Sequence, residues 1–420
     1  MKYSEQFFGS SELVLRLPSI MAFVIYNTFG LLLLYRYCPK ILLPCYLLLL
    51  LNPYLLDFFA LARGYALSIA FITMSVYYIS IYFSSKKPKH LILFNIGAFL
   101  AVMSNFSTLN YYAAALFTYN IILFISIKND PLNKENTYSF YQLNKINLVS
   151  VLLSGMVLYE PLRRISKMSL IDFGGKNGFL ADTVSSVIYD LFYEMDIPDF
   201  YLTLIKAFVL ILFIGTLIII IRKILRKDGR FFKTNIPLVF MNLVLVCMVG
   251  ITNLQHIILG NDFNTHRFAL FFYPMFIINF VFLLIYIFNT GNKKTASLIV
   301  YFSVCVLMLN LYINHSFIYY KDWKWDQDTK FVIHKMKDEH ERFPDKNIRL
   351  GVNWLLEPGT NFYRYIWDTK WLAPSHRRGI NSRDDYFLVF KNDKEFEALS
   401  AKPILFSNEQ TGLVLVKNSD

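Results

Sequence analysis

The sequence predicts an all-α polytopic membrane bundle of about ten transmembrane helices, followed by a small α/β domain outside the cytoplasm. Three observations carry this. Apolar residues make up 55% of the 420-residue chain and charged residues only 17%, where a soluble protein carries about 25% charge; the mean hydropathy is +0.40. Apolar stretches recur from Leu13 to Phe317, several of them long enough to cross about 30 Å of hydrocarbon at 1.5 Å per residue. From residue 316 the pattern turns hydrophilic, with 17 basic and 16 acidic residues. The boundary divides a transmembrane domain, 1–315, from a soluble domain, 316–420. Disorder and a secreted disulfide scaffold are excluded by this composition. A nucleic-acid partner is excluded as well, because the formal net charge of +12 sits largely in short connections between spans.

Span length and apolar continuity place helices near 18–35, 41–58, 65–83, 91–104, 111–126, 147–159, 201–221, 236–258, 268–288 and 296–315. The fourth and sixth are short for a bilayer, which calls for tilting, kinking or burial within the bundle. Cys45, Cys247 and Cys305 fall inside spans and Cys38 in the turn after the first. None of the four supplies a disulfide or a zinc ligand set to a long loop or to the tail.

Lys and Arg counts set the orientation. The connections 36–40, 84–90, 127–146, 222–235 and 289–295 hold 16 basic residues in 53 positions. The alternating set, 1–17, 59–64, 105–110, 160–200 and 259–267, holds 8 in 79. The first set is therefore assigned to the cytoplasm, and both chain ends to the outside. Of the 14 carboxylates in 1–315, only Asp130, Glu135 and Asp228 then lie on the cytoplasmic side. Acid–base chemistry is expected on the outer face, where Asp57, Glu160, Asp172, Asp182 and Asp262 fall, although acids are also simply less restricted there.

In the tail, Asp326–Glu341 reads as a helix and Ile348–Trp354, Tyr386–Lys391, Pro403–Ser407 and Gly412–Lys417 read as strands, with further helices at 357–370 and 393–399. It carries no nucleotide fingerprint, zinc spacing or nucleophile elbow. Trp354, Tyr363, Tyr365, Trp367 and Trp371 either line a sugar-binding face or, the favoured reading, pack the domain.

Three signatures place an Arg at the outer interface. Ser11, Glu12 and Arg16-Leu17-Pro18-Ser19 lead into the first span, with Pro18 near a helix start where its missing N–H is tolerated. Asn52-Pro53, Asp57 and Ala62-Arg63-Gly64-Tyr65 form an outer turn between two spans. Asp262, His266-Arg267 and Tyr273-Pro274 mark an outer loop running into a span. Each alone also fits an Arg snorkelling to headgroups beside an aromatic belt. The long outer loop, 160–200, adds Arg163, Arg164, Lys167 and a Gly174-Gly175 turn ahead of an amphipathic stretch, Val184–Met195. That stretch either lies on the membrane surface over a lipid-donor cavity or only connects two spans.

In this order the three signatures resemble the GT-C glycosyltransferases, in the branch of the protein O-mannosyltransferases and the lipid A aminoarabinose transferase. That branch shows an R-L-P-S entry, an A-R-x-Y turn two helices later and a late R…P helix start. The resemblance covers most of 11–290, and many members carry an extracytoplasmic C-terminal domain. It implies transfer of a hexose or pentose from a polyprenyl-phosphate-linked donor to a glycan, lipid or protein acceptor, in a bacterial inner membrane. Arginines then bind the lipid phosphate, a role suited to a planar, permanently charged fork. Arg63 and Tyr65 match the A-R-x-Y turn, Arg267 matches the late helix start, His266 is adjacent, and Arg163 and Arg164 are further donor-binding candidates. No cofactor is expected, with a divalent metal left open.

The family places a helix and an acidic outer loop before R-L-P-S, whereas here fifteen residues precede Arg16. The catalytic carboxylate is therefore expected upstream of Met1. Within the chain Asp57 is the substitute, with helix capping or pairing to Arg63 as its competing role. A non-catalytic scaffold is the alternative function. A transporter is disfavoured by the near absence of charge inside the spans and of any internal repeat. Reporter fusions after Lys227 and at Asp420 should report opposite sides of the membrane; the same side for both would overturn the orientation.

Overall fold

The computed structural model describes residues 2–129, 134–167, 174–193, 195–316, 318–377, 380, 381 and 383–418. Asp130 and Asp172 lie outside the described residues. The chain forms two compact units, one of residues 13–315 with 1–4 and one of 316–420 with 5–12.

In the first unit, runs of Leu, Ile, Phe and Val fold as helices because hydrocarbon offers their backbone groups no other partner. A short helix, α1 (Lys2–Phe8), precedes α2 (Glu12–Tyr37). Among the described residues, eight helices are long and apolar enough to cross a membrane. They are α2, α5 (Gly64–Ser85), α7 (Leu109–Asn129), α8 (Lys134–Lys167), α10 (Asp199–Leu225), α12 (Ile236–Leu259), α13 (Phe272–Asn289) and α14 (Lys293–Asn314).

Two of the ten expected segments fall outside these eight. The stretch 41–58 is not one helix but α3 (Leu42–Leu50) and α4 (Pro53–Ala60), bent by 72°. Pro53 opens α4 without a backbone donor, and Asn52 Oδ1 accepts from the Leu55 N–H at 3.0 Å, so the second helix starts afresh. The other is α6 (Pro88–Ser104), only 17 residues long, or roughly 25 Å at 1.5 Å per residue. Counting the bent pair as one span gives nine. Two short helices, α9 (Ser185–Leu191) and α11 (Gly229–Thr234), flank α10.

Within this unit α5 and α6 are tightly apposed: a Cβ at Gly97 would stand 3.1 Å from the Phe71 carbonyl oxygen. Uncharged polar side chains link the helices, as expected where lipid gives helices no hydrophobic reason to associate. Asn95 donates to Asn147 at 2.9 Å, Tyr112 pairs with Ser150 at 2.9 Å, and Asn110 and Gln255 exchange bonds of 2.8 and 2.9 Å.

The second unit is a four-stranded sheet ordered β1-β2-β4-β3, with β1 (Leu350–Val352), β2 (Tyr386–Phe390), β3 (Ile404–Ser407) and β4 (Leu413–Lys417). β1 and β2 are parallel; β4 is antiparallel to both of its neighbours. Strand alternation gives the sheet two buried faces. Tyr386, Leu388, Leu413 and Leu415 pack with Val332, Ile333 and Met336 of α15 (Thr329–Arg342). Phe387, Val389, Val414 and Val416 pack with Leu399 of α17 (Lys394–Leu399). Tyr363 on α16 (Glu357–Ile366), Trp367 and Trp371 join the first core, while Trp354 and Tyr365 stay exposed. The five aromatic residues thus form no single face.

Burial pushes the Asp326 carboxyl up to about 6, against the opposing hydrogen bond from Thr329 at 2.5 Å. A folded pKa above the unfolded one means the native unit binds the extra proton, so this group's stabilisation is complete below about pH 4 and is lost as pH rises through 6. The loss is on the order of 3 kcal/mol at 1.36 kcal/mol per pK unit. Glu339 runs the other way. Burial raises its pKa, but hydrogen bonds from Tyr386 (3.0 Å) and Lys417 (3.4 Å) outweigh that and hold it below the usual range. Asp326→Asn should therefore raise hydrogen-exchange protection of the Phe387–Val389 amides at pH 7 in the full chain, and the difference should vanish near pH 4.

Candidate functional site

The break at Asn52–Pro53 decides where Asp57 lies. On α4, rather than further along the axis of α3, Asp57 Oδ2 accepts a 2.7 Å hydrogen bond from the Tyr193 hydroxyl. Asn52 meanwhile donates to the Leu191 carbonyl at 3.3 Å, and Asn310 of α14 donates to the same oxygen at 2.9 Å. Those two amides satisfy a carbonyl that the end of α9 leaves without an intrahelical partner.

α9 is the centre of the site. Ser186 and Asp190 stand four residues apart and so share one face. That face meets the turn at His266–Phe268. The His266 N–H donates to Ser186 Oγ at 3.0 Å, and its Nδ1 lies 3.2 Å from Asp190 Oδ2 and 3.4 Å from Oδ1. The Asp190 side chain is 5% exposed and the imidazole 63%. Both Tyr193 (φ +62°) and His266 (φ +49°) hold left-handed backbones, which side chains of this size rarely adopt.

The Arg63-Gly64-Tyr65 turn reaches the same cluster through aromatic rings. Tyr65 stacks edge-on with Phe58 at 5.1 Å and with Phe268 at 6.1 Å, and the Arg267 guanidinium sits 5.3 Å from the centre of the Phe268 ring. Arg63 caps α5 in an extended conformation with its side chain exposed, and its carbonyl accepts from Ser19 Oγ at 3.4 Å. Gly64 makes this approach possible. A Cβ there would stand 2.0 Å from the Ser104 carbonyl oxygen at the end of α6.

An apolar cavity of about 600 Å³ adjoins the cluster. Its walls include Ile188 and Leu191 of α9, Phe213 of α10, Val249 of α12, and Phe272 and Tyr273 of α13. The stretch read as amphipathic, Val184–Met195, holds the short helix α9, which follows a π-helical turn, Phe179–Val184, and residues of both line the cavity. The turn is pinned at its start. Gly175 exchanges backbone bonds of 3.0 and 2.8 Å with Phe263, where a side chain would collide with Asp182, 2.1 Å from the Cβ position. Burial raises the Asp182 pKa, but bonds from the Gly178 and Asn177 amides outweigh it and keep the carboxyl below its usual range. Its role is to hold this loop.

The structure thus gathers Asp57, Tyr65, His266 and Arg267 at one end of the bundle, with Arg63 at the same helix start as Tyr65. Arg163 and Arg164 do not join them. They lie exposed on the end of α8 and pair with Glu160 at 3.6 and 2.9 Å, contacts worth little at a surface. Asp190 and Tyr193 are residues the sequence reading missed. The Ser186–Asp190 spacing was a usable signal, hidden because the stretch read as amphipathic surface. Among the described residues, no three His, Cys, Asp or Glu side chains converge as a metal-ligand set. Compared with known protein families and curated proteins, the chain matches no family model and no curated protein.

Gly64→Ala should force α5 and α6 apart at the site, with an overpacking cost of about 1–3 kcal/mol. A lower unfolding temperature in detergent, together with loss of protection at the start of α5, is the expected measurement.

Proposed function

We propose that the protein is a membrane glycosyltransferase that moves a sugar from a polyprenyl-phosphate-linked donor to a glycan, lipid or protein acceptor on the outer face. In this reading all ten apolar segments belong to the membrane domain of a bacterial inner-membrane protein, and the C-terminal unit is extracytoplasmic. The observation that carries it is the two-sided character of α9. One face presents Asp190 and Ser186 to a polar cluster, and the other lines an apolar cavity with Ile188 and Leu191. A donor of this class has the same division, a charged phosphate and sugar on a long hydrocarbon chain. The cavity accommodates part of that chain in apolar surroundings, and Arg63 and Arg267, at the starts of α5 and of the turn before α13, supply the planar cations that a phosphate pairs with best.

Purified protein in nanodiscs should bind undecaprenyl phosphate. Removing one partner of a desolvated charged pair costs about 2–5 kcal/mol, so Arg63→Ala and Arg267→Ala should each weaken binding at least tenfold. With undecaprenyl-phosphate-linked hexoses and pentoses plus host membrane extract, the wild type should release undecaprenyl phosphate. Tight binding without release from any donor would favour the non-catalytic scaffold; unchanged binding in both variants would return the arginines to headgroup contacts.

A further inference from the structure

We infer that the Asp190–His266 pair is the acid–base element of this site: His266 accepts the acceptor hydroxyl's proton, and Asp190 positions the imidazole and stabilises its charged form. The inference rests on the glycosyltransferase reading. His266 Nδ1 faces Asp190 Oδ2 at 3.2 Å, so the carboxylate holds the tautomer that keeps the Nδ1 proton and leaves Nε2 basic. The carboxylate is 5% exposed and the ring 63% exposed. That is the arrangement of an orienting acid behind a base that must meet substrate. Ser186 fixes the backbone of His266 through its amide at 3.0 Å, holding the residue in a left-handed conformation with φ +49°. Asp57 is placed differently, with its Oδ2 already accepting from Tyr193 at 2.7 Å, which suits it to holding the segment after α9.

The step balances without a further reactant. The acceptor oxygen forms a bond to the anomeric carbon while its proton passes to His266 Nε2. The bond between that carbon and the phosphate oxygen breaks, and polyprenyl phosphate leaves with the electron pair. The imidazolium then returns its proton to water. Titratable and charged groups on the elements around α9 in this unit include Tyr54 and Asp57 of α4, Asp182 on the π-helical turn before α9, Tyr193, Arg267, and Asp199, Tyr201 and Lys206 of α10, of which Lys206 donates to Ser185 at 3.2 Å.

Undecaprenyl phosphate release by the full chain in nanodiscs, measured from pH 5 to 9, tests this. His266→Asn suits the left-handed backbone, which Asn tolerates, and should lower release 10²–10⁴-fold, the usual contribution of a general base. Asp190→Asn should lower the rate and move the acid limb of the pH profile down by about 1 unit, because a neighbouring carboxylate raises an imidazole pKa by about that much or more. Both variants should keep wild-type affinity for undecaprenyl phosphate, which reports an intact fold. Wild-type release with unchanged rates and pH profiles in both variants overturns the dyad and leaves the transferase reading standing. No release by the wild type from any donor overturns both.

Discussion

One buried amide organises the functional end of this molecule. Asn52 is 1% exposed, and its two ends do different work. Its oxygen caps α4 at the Leu55 N–H, and its nitrogen reaches 139 residues along the chain to the Leu191 carbonyl. In hydrocarbon, breaking a span leaves backbone groups that water cannot satisfy. Asn52 and Pro53 make the break tolerable, since one replaces a missing partner and the other has no donor to lose. The 72° bend then swings Asp57 off the axis of α3 and against Tyr193. Without that cap α4 has no defined start, and α9 loses one of two bonds to its last carbonyl.

α9 divides the neighbourhood because a helix of seven residues still has two faces. Ser186 and Asp190 turn toward His266, while Ile188 and Leu191 turn toward the apolar cavity. The helix is too short to be stable by itself. Its order comes from what it touches: the amides of Asn52 and Asn310 at its end, the 266–268 turn on its polar side, and α10 through Lys206 and Ser185.

The membrane helices were legible because apolar continuity over about 20 residues is a strong signal. Strands β2 and β4 were legible because each alternates into two buried faces, as Phe387 and Leu388 do. The break at Asn52 falls inside the segment 41–58 that reads as one helix, because the apolar residues around it mask a capping Asn. Arg63, Tyr65, Arg267 and Asp57 could be named in advance because charged and aromatic residues at span ends stand out. Their grouping could not, for it depends on contacts such as Asn52 to Leu191 that no local pattern encodes. Asp190 was hidden for the same reason: an acid on an amphipathic stretch reads as solvated until His266 is brought beside it.

Left-handed backbone at non-glycine residues occurs both inside and outside the cluster. Lys86, Lys227 and Asp368 hold left-handed backbones, each at or just past the end of a helix, where that conformation is common. Tyr193 follows α9 in the corresponding region, where glycine would be the easier residue. A glycine would give up the hydroxyl that binds Asp57 at 2.7 Å. His266 opens its own turn in the same conformation, and a glycine there would give up the contact with Asp190. Strained positions of this kind cost of order 1–3 kcal/mol each and persist where the surroundings over-determine them. Tyr193, like Lys86, Lys227 and Asp368, follows a helix end, so among the described residues His266 is the one whose left-handed backbone no helix C-terminus accounts for.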